Sequence, residues 1–263
     1  MLGDSPRLAN VLVHVGLAAS ARAELDRART LLEDAVVGAR QTGQLGLLAA
    51  DLCYLARLDL ESGDAGQAQH RAEQALRSAA AAGHTEIACH ASAILGELEY
   101  RAGRLDSARR VWEDALAQVR ETHQQHVHVI PALIDVGRLA VEQDERDRAR
   151  LPLGEALVFA RELSRLYLVH ALEAVVELAA AEQQIEKALE LAGAATALRD
   201  AKGMPLWPSE RARLEPLVAR MRQSLNQAAG DAAWMRGWSA PADRTLALAL
   251  DFLQVPLGRR RYS

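Results

Sequence analysis

Five pairs of alanines constrain the fold of this chain more than any other feature. Ala28/Ala35, Ala68/Ala75, Ala108/Ala115, Ala149/Ala156 and Ala188/Ala195 are each spaced seven residues apart, and successive pairs are offset by 40, 40, 41 and 39 residues. Twelve residues before the first alanine of each pair stands Gly16, Ala56, Gly96, Gly137 or Val176. Three positions that keep phase over five periods define a repeat array, in which each unit is one supersecondary element stacked on its neighbours. An array grows by adding units, so the 263-residue length does not by itself count domains.

The third unit shows what repeats. Ile87, Ala91, Ile94, Leu95 and Leu98 fall on one helical face. Gly103 then offers the left-handed residue that ends a helix, and Leu105, Ala108, Val111, Trp112, Ala115, Leu116 and Val119 form a second apolar stripe. This is a helical hairpin. The chain reads as five such hairpins, over about residues 8–42, 44–82, 85–122, 125–163 and 165–202. Each helix spans roughly 16–19 residues, or about 24–28 Å. The small residues have a packing purpose: helices approach within about 8 Å only where side chains are small. Gly96 and Ala108 are expected to meet at that crossing in the third hairpin. Half the residues are hydrophobic but only 4% are aromatic, and the Leu/Ala bias favours helix over strand.

The spacing resembles the tetratricopeptide repeat, which sets a small residue in its first helix and two alanines in its second, as Gly96, Ala108 and Ala115 do here. The turns Gly63-Asp64-Ala65-Gly66-Gln67-Ala68 and Gly103-Arg104-Leu105-Asp106-Ser107-Ala108 are similar to the family's turn. The aromatic positions depart from it: no Trp opens a unit, and the family's first-helix Tyr is replaced by Ala19, Asp59, Glu99, Ala140 and Ala179. The period of about 40 is also longer than the family's, with the extra residues between units. Longer repeats of this kind, with the elements Trp207-Pro208-Ser209-Glu210-Arg211 and Trp234-Met235-Arg236-Gly237-Trp238, resemble the C-terminal helical region of bacterial LuxR-type and maltose-regulator-like ATP-binding transcription regulators. That resemblance implies an all-α, right-handed superhelical solenoid. It also implies an ATPase domain upstream, since no glycine-rich phosphate loop occurs in this chain.

Residues 1–203 are thus read as the repeat array, 204–255 as helices capping its open end, and 256–263, with Arg259-Arg260-Arg261, as a disordered tail. Ser209 is expected to cap a helix striped by Leu214, Leu217, Val218, Met221 and Leu225, which Gly230 ends. A last helix starts near Ser239 and Pro241 and runs through Leu253. Trp207, Trp234 and Trp238 are read as cap packing, with a partner or ligand site as the alternative.

Function is expected to lie in a surface. Neither a nucleophile elbow, a His-Glu-x-x-His pair nor a Cys-x-x-Cys occurs, so no catalytic residue, cofactor or metal site is assigned. His123, His126 and His128 are read as turn histidines, Cys53 and Cys89 as small helix residues. A net charge of −4 argues against direct nucleic-acid binding, and no apolar run is long enough for a membrane span. Two cysteines suit a reducing cytoplasm. The repeat resemblance implies a concave groove lined by the first helix of each hairpin. Its candidate residues are Cys53, Arg57 and Glu61; His90, Glu97, Tyr100 and Arg101; Ile134, Arg138 and Glu142; and His170, Glu173 and Glu177. Arg57 and Arg138 are suited to clamp a carboxylate or phosphate. The expected partner is a protein or peptide segment in this groove. The alternatives are a small-molecule effector and a second copy of the chain.

Overall fold

The structure is a computed structural model that describes residues 12, 14–20, 22, 24–121 and 126–255. The described residues form an all-helical fold in two compact units, divided between residues 124 and 125. The His123 reading, the 122–125 turn and the 256–263 tail lie outside the described residues.

In the N-terminal unit, helical residues 14–20 are followed by α1 (Leu25–Thr42), α2 (Leu45–Glu61), α3 (Ala65–Ala82), α4 (Thr85–Arg101) and α5 (Leu105–Arg120). Consecutive helices pack on one another, and the first helices α2 and α4 lie side by side. α3 shows how the sequence makes one of these elements. Asp64 caps its start by accepting from the Gln67 N–H at 3.0 Å. Ala68, Ala72, Ala75 and Ala79 make a fully buried stripe, and Gly83 ends it at φ 73°. The paired alanines sit at helix contacts throughout the unit. Ala28, Ala35, Ala68, Ala75 and Ala108 are all 0% exposed.

The glycine of the third hairpin makes room for a large ring. A Cβ on Gly96 would lie 2.1 Å from Trp112 Nε1, so Gly96 leaves room for the Trp112 ring. Trp112 is 1% exposed, and its indole N–H donates to Ala93 O at 2.9 Å. Burying a ring of that size contributes about 4–6 kcal/mol as an upper figure.

In the C-terminal unit, a 3₁₀ turn (Val127–Val129) leads into α6 (Ile130–Glu142), α7 (Arg146–Leu163), α8 (Arg165–Ala181) and α9 (Ile185–Asp200). α6 has 13 residues, shorter than the expected range. Its entry is the 3₁₀ turn, and Pro131, which has no N–H to donate, occupies the first helical turn. The tail adds α10 (Pro208–Ser224), α11 (Gln227–Trp238) and α12 (Ala242–Leu253). α10 and α11 pack on α9, and α12 packs on α7 and α9.

Two tail boundaries differ from the sequence reading. Trp207, not Ser209, is the N-cap of α10. Pro208 takes the first helical position, and Glu210 reaches back to accept from the Trp207 N–H at 2.9 Å. Gly230 does not end a helix. α10 stops at Ser224, and Asn226 caps α11 by accepting from Ala229 N–H at 2.9 Å, which leaves Gly230 buried inside α11. The α9–α11 crossing is the closest in the unit's tail. A Cβ on Gly193 would lie 2.3 Å from Trp234 O, and one on Gly237 1.7 Å from Glu190 O, so backbone meets backbone there.

Candidate functional site

In the N-terminal unit the first helices carry a polar edge. Arg101, the last residue of α4, donates through Nε to Glu97 Oε1 at 2.7 Å and through Nη2 to Glu61 Oε1 at 3.1 Å. Its Nη1 donates to Leu60 O at 2.9 Å, so one guanidinium ties the ends of α2 and α4 together. Arg57 and Tyr100 are half-buried beside this edge, and Tyr100 packs at 6.3 Å on Trp112. Cys53 and His90 lie deeper. Cys53 is 0% exposed and does not line a surface, and His90 is 1% exposed with its ring edge-on to Tyr54 at 5.8 Å. Burial, and then the charge of Asp51, pushes the Cys53 thiol up, and burial pushes Cys89 up to about 12. Both thiols are therefore protonated and inert at neutral pH.

Two carboxyls in α2 are fully buried. Asp59 is fully buried, contacts Arg29 of α1, and pairs with Arg71 of α3 at 3.0 Å. It stands where the resembled family has tyrosine. Asp51 is also fully buried, and neither of its oxygens has a hydrogen-bond partner among the described residues. Burial raises its carboxyl to about 7. The in-phase residues of the next three hairpins are Ala91, Ala132 and Ala171, each 0% exposed.

The C-terminal unit brings four of its six groove candidates into one charged network, together with three residues not foreseen. Arg138 lies 3.3 Å from Glu177 and donates to His170 O at 3.4 Å. Arg213 of α10 donates to Glu177 Oε1 at 2.7 Å. Glu173 is 4% exposed and accepts both Nε and Nη2 of Arg199, at 2.6 and 3.0 Å. Arg199 Nη2 is also 2.9 Å from Glu210, which in turn lies 2.9 Å from His170 Nε2. Burial alone would raise the Glu210 carboxyl, but His170, Arg199 and the Trp207 N–H together hold it well below the usual carboxylate range. The network thus fastens α10 across α8. Ile134 is buried at 3%, and Glu142 is exposed at the end of α6.

The sequence signal for Arg199, Glu210 and Arg213 was slight, because they lie 26 to 40 residues from their partners on α8 and outside the repeat phase. Glu210 three residues after Trp207, behind a proline, was the one local clue. His126 and His128 stack at 4.9 Å. No group of three or more His, Cys, Asp or Glu among the described residues is placed to hold a metal. No described helix is long and apolar enough to cross a membrane.

These hairpins, packed in series through phased small residues, give the described residues a tetratricopeptide-like helical-repeat fold. No family model matches the sequence, and a search of curated proteins finds no match. Solved structures do. BtubC (BKLC) from P. vanneervenii aligns with a TM-score of 0.53 at 18% identity, covering 91% of this chain and 96% of that one. A Podosopora anserina kinesin light chain structure with nearly identical TPR-like repeats aligns with a TM-score of 0.47 at 17% identity, covering 74% of this chain and 96% of that one. The likeness to BtubC is one of fold.

Proposed function

We propose that the chain is a non-catalytic interaction module that holds a protein or peptide segment against the first helices of its repeats. The observation that carries this reading is the side-by-side placement of α2 and α4, whose polar edge is already ordered by Arg101 bonding Glu61, Glu97 and Leu60 O. A surface fixed in this way costs a partner little side-chain ordering. Its alternating charges suit a segment of mixed charge. The corollary, supported by the resemblance of the tail to regulator C-terminal regions, is a cytoplasmic setting within a bacterial transcription regulator. The parent reading frame tests that corollary directly, since it requires an ATPase domain encoded upstream.

The interaction itself is tested in cells with a photo-crosslinking residue placed at position 57 and, as a control, at position 69 on the exposed side of α3. Cross-links to one discrete partner from position 57, weakened by Arg101→Glu, are the expected result. Equal capture from both positions removes the first-helix assignment.

A further inference from the structure

The C-terminal unit contains a cavity of about 570 Å³, well within the range of small-molecule sites. It exists because α9 holds its two tail neighbours at different distances. α11 sits backbone-to-backbone on α9 through Gly193 and Gly237. α10 is held by long charged side chains instead, Glu210 to Arg199 of α9 and Arg213 to Glu177 of α8. The face of α9 beneath it carries the short side chains of Ala192, Ala195 and Thr196, with Arg199 and Asp200 beyond them at the helix end. The space left between them is walled by Val176, Met204, Leu206, Leu214 and Val218.

The polar groups divide into a closed floor and an open mouth. At the floor, Arg199 is 5% exposed and all three of its nitrogens are engaged, with Glu173, Glu210 and Pro205 O. Thr196 donates its hydroxyl to Ala192 O at 2.8 Å. The floor therefore asks nothing charged of an occupant. At the mouth, Arg211 and Glu215 pair loosely at 3.5 Å. Arg222 differs: its guanidinium stacks on the Trp234 ring at 4.5 Å and makes no ion pair among the described residues. The ring holds the cation over the opening without neutralising it.

From this we infer that the cavity is a binding site for a small monocarboxylic acid with an apolar body, the body inside and the carboxylate on Arg222. Arg favours that role because its planar fork accepts both carboxylate oxygens. Asp200 and Glu215, on the same rim, disfavour dianions. The site lies in the C-terminal unit and is independent of the first-helix surface of the N-terminal unit.

The test uses decanoate as probe and 1-decanol as the same body without the charge, each titrated into the whole chain and followed by thermal shift and calorimetry. Decanoate is expected to stabilise the protein saturably, with decanol at least about tenfold weaker. Arg222→Glu should lose decanoate by a similar factor and leave decanol unchanged. Ala219→Trp, on the exposed side of α10 at the cavity edge, should block both probes while the unliganded melting point stays at the wild-type value. Equal affinity for the acid and the alcohol, or an unaffected Arg222→Glu variant, overturns the carboxylate assignment. Absence of saturable stabilisation by either probe overturns the site.

Discussion

Asp51 should be a stability defect that one substitution repairs, and the repair should depend on pH. Its carboxyl is fully buried on α2, lacks a hydrogen-bond partner among the described residues, and is raised from 3.8 to about 7 by burial. For an acid whose folded-state value is raised, the stability contribution is greatest below the unfolded value and is lost as pH climbs to the folded value. At about 1.4 kcal/mol per decade, the move from 3.8 to about 7 corresponds to roughly 4 kcal/mol lost between pH 4 and pH 7. Asp51→Ala removes the charge and installs the residue that Ala91, Ala132 and Ala171 supply in the same phase, each without exposure. The variant should therefore be more stable than wild type at pH 7.5, by up to roughly 4 kcal/mol and roughly 10 °C in melting temperature. The gap should close by that amount toward pH 4. Urea unfolding at half-unit pH steps, with hydrogen exchange on α2 to assign the transition to the N-terminal unit, measures it. Asp51→Asn should lose the pH dependence but gain less, because the amide is still a buried polar group without a partner. A wild-type-minus-variant gap that is flat with pH, or an Asp51→Ala variant less stable at pH 7.5, refutes the reasoning.

Other substitutions probe the remaining contacts. Arg199→Ala leaves Glu173 buried without its cation and takes one partner from Glu210, and should destabilise the C-terminal unit by about 3–5 kcal/mol, read as faster hydrogen exchange in α8 and α10. Gly96→Ala drives a methyl into Trp112 and should cost about 1–3 kcal/mol with a shift in tryptophan emission. Its cost should fall in a Trp112→Leu background. Gln183 holds φ 59° at the turn position that Gly63 and Gly103 fill in earlier hairpins, so Gln183→Gly should gain about 0.5–1 kcal/mol in urea unfolding.

The repeat phase was legible because it records packing, and packing recurs. Ala28, Ala68, Ala108, Ala149 and Ala188 are all 0% exposed, as close helix contact demands. Helix ends were legible where a local signal set them, as at Gly83 and Gly103. They were misread in the tail, where Ser209 and Gly230 looked like signals but Pro208 and Asn226 set the boundaries. Side-chain placement was less legible. Counting along a first helix puts His90, Glu97 and Arg101 in one set, yet His90 is buried while Arg101 is exposed. The period fixes which residues share a face, but the tilt of neighbouring helices fixes how much of that face is covered. The Glu173–Arg199–Glu210 network was barely legible, since it joins a repeat helix to a tail outside the phase and only Glu173 and the Trp207–Glu210 spacing hinted at it.

The in-phase positions also show how the repeat tolerates change. Gly16, Gly96 and Gly137 each face the residue sixteen further on, namely Leu32, Trp112 and Leu153. Where the first position is instead Ala56 or Val176, the residue sixteen further on is Ala72 or Ala192, and all four are buried. Volume is exchanged across the hairpin, so neither position is fixed alone but the pair is. The turns behave likewise. Gly63, Gly103, Asp144 and Gln183 fall in phase, all at positive φ, and each donates to the carbonyl three residues back. Backbone geometry is kept there while the side chain varies. Residues under such constraint have little freedom to recognise anything. Specificity must come from groups that break phase and keep a contact unspent. In the N-terminal unit, Arg101 spends its donors within the edge it builds. In the tail of the C-terminal unit, Arg222 rests on a tryptophan ring with its charge still available.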